Sequence, residues 1–254
     1  MISVVILHKN EKDIERCLQS VDFADEIIII FDEKNKNLEF ENNVKNNKRI
    51  KIFYRKLNND FSKQRNYGLN KTKGDWILFL DSDEEITPEL KQEIINEINN
   101  KNQNFSAYYI KRRDFFWGRE VRFGEVRKIR SEGIIRLVKK NSGYWQGKVH
   151  EEYKVNSGFK IGKLKNFINH YPHQSLREFI NDVNYYSTLR SLELQELGKK
   201  TNVLEIIFFP FFKFILTYFI YLGFLDGEAG FVYSFMMSFH SFLVRAKLYQ
   251  RTVL

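Results

Sequence analysis

The sequence predicts an α/β fold in which a mainly parallel sheet is flanked by helices. Three observations carry that prediction. Short apolar runs recur at residues 2–7, 26–31, 50–54 and 76–80, as expected of strands covered on both faces. Segments of helical length separate them, which is the order of βαβ units. No internal repeat and no Pro/Ser-rich linker breaks the pattern, so one large domain with a C-terminal extension is expected.

Taken in order, residues 2–7 read as the first buried strand. Residues 12–20 read as a short helix with Ile14, Cys17 and Leu18 on one side. The second strand carries four isoleucines and ends at Asp32, and residues 33–47 read as a charged, Asn-rich loop. A third strand at 50–54 precedes a helix at 61–71 and a fourth strand at 76–80. Thr87-Pro88-Glu89 opens the next helix, which runs to about Asn99. Threonine caps, proline suits the first helical position, and glutamate favours the positive end of the dipole. Residues 106–110 and 133–138 are further strand candidates, and the basic, Gly-punctuated stretch 111–130 between them reads as a loop or hairpin.

Ser175-Leu176-Arg177-Glu178 forms a capping box. It opens a helix carried by Leu176, Phe179, Ile180, Val183, Tyr186 and Leu189 that ends near Gly198. Residues 203–225 are almost continuously apolar, interrupted by Glu205, Pro210 and Lys213. They are long enough to span a bilayer, but a central lysine and an early proline suit a span poorly. A buried helix packed on the α/β domain is one reading; a helix lying in the membrane interface is the preferred one. The expected division is 1–172 for the α/β domain and 173–254 for a helical, membrane-associating region.

Composition describes an ordered globular chain: 43% hydrophobic, 29% charged and 16% aromatic, with 24 Phe and 13 Tyr. The formal charge of +9 favours anionic partners: a nucleotide sugar, a lipid phosphate, an anionic membrane surface or nucleic acid. Cys17 is the single cysteine; it cannot form an internal disulfide and points to a reducing compartment. Met1 leads straight into a strand-like run without a basic leader or cleavage site, so a cytoplasmic location, peripheral on the inner face of the cytoplasmic membrane, is expected.

The sharpest motif is Gly74-Asp75-Trp76-Ile77-Leu78-Phe79-Leu80-Asp81-Ser82-Asp83-Glu84-Glu85. An interior strand ends in two aspartates at the sheet rim, where open α/β sheets bind ligands. Carboxylates so placed repel unless a cation lies between them, so a divalent metal and a phosphate-bearing substrate are the natural partners. The alternative is an acidic turn closing a strand. A calcium loop fits poorly, because its sixth and twelfth positions would be Ile86 and Gln92. The aspartyl phosphatases, which also follow a strand with Asp-x-Asp, want Thr or Val where Glu85 stands.

Further segments narrow the choice. Ile2-Ser3-Val4-Val5-Ile6-Leu7, Gln64-Arg65-Asn66-Tyr67-Gly68, Gly74-Asp75-Trp76 and Leu80-Asp81-Ser82-Asp83-Glu84 together resemble a family 2 glycosyltransferase of the GT-A fold. Asp114-Phe115-Phe116-Trp117-Gly118, Val149-His150-Glu151, His170-Tyr171 and Gly223-Phe224-Leu225-Asp226-Gly227 resemble the bacterial branch containing lipopolysaccharide inner-core β-glucosyltransferases.

The resemblance implies an inverting transfer of a hexose, glucose foremost, from a UDP-sugar donor to a lipid-linked saccharide acceptor. It places Asp32 at the uracil, although the usual Asp-Ser-Gly-Ser-Thr-Asp reads Asp32-Glu33-Lys34-Asn35-Lys36 here. It places Arg65 near the phosphates, where the alternative is a solvated helix charge. Asp81 would meet the ribose or metal-bound water, and Asp83 would ligate a Mn2+ or Mg2+ bridging both phosphates. Glu151 is the expected base, with His150 orienting it or reaching the metal; the two roles are open to exchange. His170, and beside it His173, would approach the metal from the C-terminal side. No His-Glu-x-x-His or paired Cys-x-x-Cys occurs, so no structural zinc is expected.

Arg112, Arg113, Arg119, Arg122, Arg127, Lys128 and Arg130 form a basic belt interleaved with Phe115, Phe116, Trp117 and Phe123. Such a belt would also suit nucleic acid. Beside the aspartate pair it reads as an acceptor loop for a phosphorylated glycolipid, with no nucleic-acid partner. Two rival readings stay open: a same-fold glycosyltransferase acting on capsule, glycoprotein or another acceptor, and a non-enzymatic basic protein that binds membrane or nucleic acid.

Overall fold

In chain order the strands and helices of the computed structural model are β1 (Ile2–His8), α1 (Ile14–Ser20), β2 (Glu26–Phe31), α2 (Leu38–Val44), β3 (Ile50–Tyr54), α3 (Phe61–Lys71), β4 (Trp76–Asp81), β5 (Glu84–Ile86), α4 (Pro88–Asn99), β6 (Phe105–Phe116), β7 (Arg119–Val121), α5 (Arg127–Glu132), β8 (Ile134–Lys139), β9 (Gly143–Gln146), β10 (Glu152–Val155), β11 (Lys160–His170), α6 (Leu176–Glu196), α7 (Val203–Phe214) and α8 (Gly227–Val253). The structure describes residues 1–8, 14–35, 37–102, 104–148 and 151–253. His150 and the start of the helix expected at 12–20 lie outside them. The chain divides into two compact units, Met1–Arg112 with Glu132–His170, and Arg113–Ser131 with Tyr171–Leu254.

The first unit is built on a mixed sheet ordered β3-β2-β1-β4-β8-β6-β11-β5. Its parallel part is β3-β2-β1-β4; the β4–β8, β8–β6 and β11–β5 pairs are antiparallel. Strands β1 and β2 are buried along their whole length, which is why they read as unbroken apolar runs rather than alternating ones. The two faces carry separate cores, one including Val4, Ile6, Ile27, Ile29 and Leu90 and the other Val5, Ile28, Ile30 and Phe79. Helix α4 starts as its sequence dictates: the Thr87 hydroxyl accepts from the Leu90 backbone N–H at 3.2 Å.

Two local expectations are corrected. The segment 33–47 is not all loop: a 3-10 turn at Glu33–Asn35 and helix α2 occupy much of it. Asn37 caps α2 by accepting from the Phe40 N–H at 3.0 Å, and the Phe40 ring lies against Phe31, with 5.7 Å between centroids. Strand β6 also continues past its expected end at Ile110 to Phe116, and of the loop and hairpin readings of 111–130 a hairpin forms: β6 turns into β7 through Trp117 and Gly118, whose φ angles are 50° and 77°. Two successive positive φ values make the tight, primed hairpin turn that matches strand twist.

In the second unit α8 packs along α6 and α7. Phe116, Val126, Phe179, Val183 and Met236 form the core. The capping box at Ser175 forms, with its hydroxyl accepting from the Glu178 N–H at 3.2 Å. Asp226 accepts from the backbone N–H groups of Arg122 and Phe123, at 2.8 Å for the latter. It thereby ties the basic segment 113–131 to the turn before α8. Gly230 is required where α8 begins, since a Cβ there would sit 1.9 Å from the Gly223 carbonyl oxygen. The run Val203–Ile220 is long and apolar enough to cross a membrane by length and composition, and only 6% of it is buried. Its central lysine is not isolated: Lys213 Nζ donates to Glu125 at 2.7 Å.

Candidate functional site

The parallel strands deliver their C-terminal ends to one rim of the first unit's sheet. In the ladder Leu7 pairs with Asp81 and His8 with Phe31, so Asp81 and Asp32 lie two strands apart, roughly 10 Å at the usual strand spacing. Asp32 accepts from the Leu57 backbone N–H at 3.2 Å. His8 is buried, with its ring 4.5 Å from that of Phe31. Burial holds its pKa down at about 4, so the imidazole is neutral at ordinary pH.

Helix α3 brings Arg65 over this rim. Asp60 caps the helix by accepting from the Lys63 N–H at 3.0 Å, and Gly68 lets it settle onto the sheet. A Cβ at Gly68 would stand 2.5 Å from a Val5 methyl. Arg65 is therefore no solvated helix charge; it is only 3% exposed. Its Nε donates to Glu151 at 2.8 Å and its Nη2 to Asp81 at 2.8 Å. The guanidinium lies 4.8 Å from the Trp145 ring centroid. Trp145 is held in turn by two hydrogen bonds between its backbone and the Asn66 side chain. Glu151 thus reaches the same guanidinium as Asp81 from a distant part of the sequence.

A second buried arginine completes the cluster. Arg136, on β8, donates through Nη2 to Asp81 at 2.8 Å and to Glu84 at 3.1 Å. Arg112 lies 3.6 Å from the same Glu84 oxygen, and the other Glu84 oxygen accepts from the Asp81 backbone N–H at 3.0 Å. Glu84 so closes the Asp-Ser-Asp turn from within. Burial works against the charge on Arg136, but the carboxylates of Glu84 and Asp81 outweigh it and push its pKa up. Neither Arg136 nor Glu84 stands among the residues expected from sequence. The available signal was one arginine inside the apolar run Ile134-Ile135-Arg136-Leu137-Val138, an unusual place for a cation without partners.

Asp83 turns the other way. Its Oδ2 lies 3.3 Å from His170 Nε2, and strand pairing explains the meeting, because β5 and β11 run antiparallel with Glu84 opposite His170. Among the described residues no three His, Cys, Asp or Glu side chains gather closely enough to hold a metal by themselves. A carboxylate oxygen and an imidazole nitrogen side by side do fit a divalent cation that takes its remaining ligands from a diphosphate and water. His173 belongs to the second unit, where its Nδ1 lies 3.1 Å from Asp182 and its ring stacks on Phe179 at 4.0 Å.

The geometry is therefore a sheet end that carries a carboxylate-histidine pair beside a carboxylate-arginine cluster. The profile of Glycosyl transferase family 2 matches residues 3–167, which span all of it. The chain belongs to the family 2 glycosyltransferases. Among relatives of this glycosyltransferase is an uncharacterized glycosyltransferase of Rickettsia typhi, 27% identical over 97% of this chain and 86% of its own length. Another is the lipopolysaccharide core biosynthesis glycosyltransferase LpsC of Rhizobium meliloti, 26% identical over 76% of this chain and 71% of LpsC. The solved structure of S. aureus TarS 1-349 in complex with UDP-GlcNAc superposes with a TM-score of 0.50 and 18% identity, covering 97% of this chain and 83% of that one. That likeness is one of fold, and the fold is GT-A.

Proposed function

We propose that this glycosyltransferase moves a hexose, glucose foremost, from a UDP-sugar to a hydroxyl of a lipid-linked saccharide, the lipopolysaccharide inner core being the leading acceptor. The observation that carries the reading is Arg65 bridging Asp81 and Glu151 at 2.8 Å each, with the Asp83–His170 pair on the same turn as Asp81. A donor-binding carboxylate and a base candidate thereby share one fixed positive charge. The name of LpsC supports a lipopolysaccharide acceptor, and the UDP-GlcNAc complex of TarS supports a UDP-sugar donor.

In this reading Asp32 receives the base of the nucleotide, while Arg65 and Asp81 face the rest of the donor. Asp83 and His170 would hold Mn2+ or Mg2+, which when bound supplies Lewis-acid stabilisation of charge on the leaving diphosphate. The acceptor hydroxyl oxygen bonds to the anomeric carbon as the bond from that carbon to the diphosphate oxygen breaks. UDP departs with the electron pair, and the hydroxyl proton passes to the Glu151 carboxylate. Attack opposite the leaving group inverts the anomeric centre. Arg65 keeps Glu151 in one orientation for that transfer. His150, outside the described residues, orients Glu151 or reaches the cation.

The catalytic work lies within 1–172, and 173–254 holds the enzyme to an anionic membrane surface on the cytoplasmic side. The exposed apolar side chains of Val203–Ile220, among them Phe208, Phe211 and Phe212, support this attachment, as does the pairing of Lys213 with Glu125. A UDP-release assay across a panel of UDP-sugars, with Mn2+ and with EDTA, tests the reading. Metal-dependent turnover of one donor is expected. A salt-sensitive shift of nucleic acid with no turnover of any donor would replace it with the basic binding protein.

A further inference from the structure

We propose that Arg136 lines the pocket for the sugar of the donor and selects among donor sugars by hydrogen-bonding a ring hydroxyl. This rests on the glycosyl-transfer reading above and adds to it a residue that determines specificity. Arg136 is only 4% exposed, yet both of its ion-pair contacts are made through one nitrogen, Nη2. Its Nε and Nη1 are buried and have no hydrogen-bond partner among the described residues. Arg65 Nη1, on the other guanidinium bound to Asp81, is in the same state. A buried N–H left unpaired is costly and calls for an explanation; a ligand that supplies the acceptor is one.

Charge identifies the ligand. Arg65, Arg112 and Arg136 are joined in one run of contacts to Asp81, Glu84 and Glu151. Among the described residues these contacts join three cations to three anions, so they leave no surplus positive charge for a diphosphate to neutralise. What the cluster offers is buried N–H donors beside carboxylate acceptors. A sugar hydroxyl both donates and accepts, and so matches that mixture; a phosphate oxygen only accepts and would meet Asp81 and Glu151 as like charges. A pocket that hydrogen-bonds a hydroxyl also rejects a sugar lacking it far more strongly than an apolar pocket can.

The test compares UDP with UDP-glucose, UDP-galactose and UDP-N-acetylglucosamine by calorimetry in the presence of Mn2+, for the full chain and for Arg136→Lys. Lysine keeps a cation for Asp81 and Glu84 but removes the Nε and Nη1 donors. The wild type is expected to bind one UDP-sugar more tightly than UDP. In the variant that advantage should fall on the order of 10–100-fold while UDP affinity is kept. The paired variant Glu84→Gln/Arg136→Gln, which removes one charge of each sign, should show the same selective loss and serves if the lysine variant does not fold. Equal loss of UDP and UDP-sugar binding would make Arg136 a diphosphate clamp and overturn the proposal. Undiminished sugar preference in a folded variant would make it structural and overturn it too. A wild type that binds UDP but none of the UDP-sugars more tightly than UDP overturns the proposal as well, whereas one that binds no UDP defeats the donor reading itself.

Discussion

The first unit hides its charges, and the second displays its hydrophobic side chains. Arg65, Arg136 and Glu84 are at most 4% exposed, whereas Phe211 and Phe212 on α7 are 58% and 62% exposed. Neither arrangement lowers the folding free energy by itself. Buried ion pairs barely recover their desolvation cost, and exposed phenylalanines forfeit burial worth about 1.5–3 kcal/mol each. In the proposed reading these arrangements serve ligands: a polar one at the charged sheet end, an apolar one at the aromatic helix. The charges of the second unit follow the same contrast, since Lys213 and Glu125 pair at its surface and not in its core.

The contrast can be broken in several places. The largest effect is expected at Glu151. Glu151→Gln should cut turnover by roughly 10²–10⁴-fold through loss of the base, with UDP binding retained in calorimetry; near-full turnover would remove Glu151 from the mechanism. Stability separates the two kinds of ion pair. Arg65→Met strips Glu151 of its buried cation and leaves Asp81 to Arg136, and should cost about 3–5 kcal/mol in urea unfolding, against about 0–1 kcal/mol for Lys213→Met at its part-exposed pair. Equal costs would erase the distinction.

Acid should act on the first unit through His8. Its folded pKa of about 4 lies below the ordinary value of 6.5, so the unfolded chain binds the proton first. Stability is full above about pH 6.5 and falls as pH drops toward 4, by up to about 3 kcal/mol. His8→Phe should flatten that part of the pH–stability curve, and an unchanged slope would assign it to other groups. In the second unit, Phe211→Glu with Phe212→Glu should lower sedimentation with anionic vesicles roughly tenfold or more; unaltered sedimentation would end the membrane role of this face. A modest effect is expected at Gly68. Alanine raises helix propensity by about 1 kcal/mol, but its Cβ would press on Val5 and should make the variant net less stable by about 1–2 kcal/mol. A stabilised Gly68→Ala would mean that α3 can lift from the sheet.

Features that depend on local chemistry were legible in the sequence. The buried parallel strands, the caps at Thr87 and Ser175, and the strand-end aspartates all signal themselves within a few residues. Arg136 was not legible, because its burial depends on Glu84 and Asp81 arriving from other strands, and an arginine on a strand ordinarily faces water. Arg65 was open to two readings for the same reason; packing of α3 at Gly68 decides between solvent and Asp81. Helix α2 was hidden in an Asn- and Glu-rich stretch whose composition suits loops, although Asn37 supplies its cap. The charge on Lys213 was legible, but Glu125, its distant partner, was not.

The most direct measurement is a calorimetric titration of UDP into the full chain with Mn2+, repeated in EDTA and with Asp83→Ala. Binding in Mn2+ that is lost both in EDTA and in the variant is the predicted result. UDP binding indifferent to metal and to Asp83, or no UDP binding at all, would contradict the assignment of this sheet end as a metal-assisted nucleotide-sugar site.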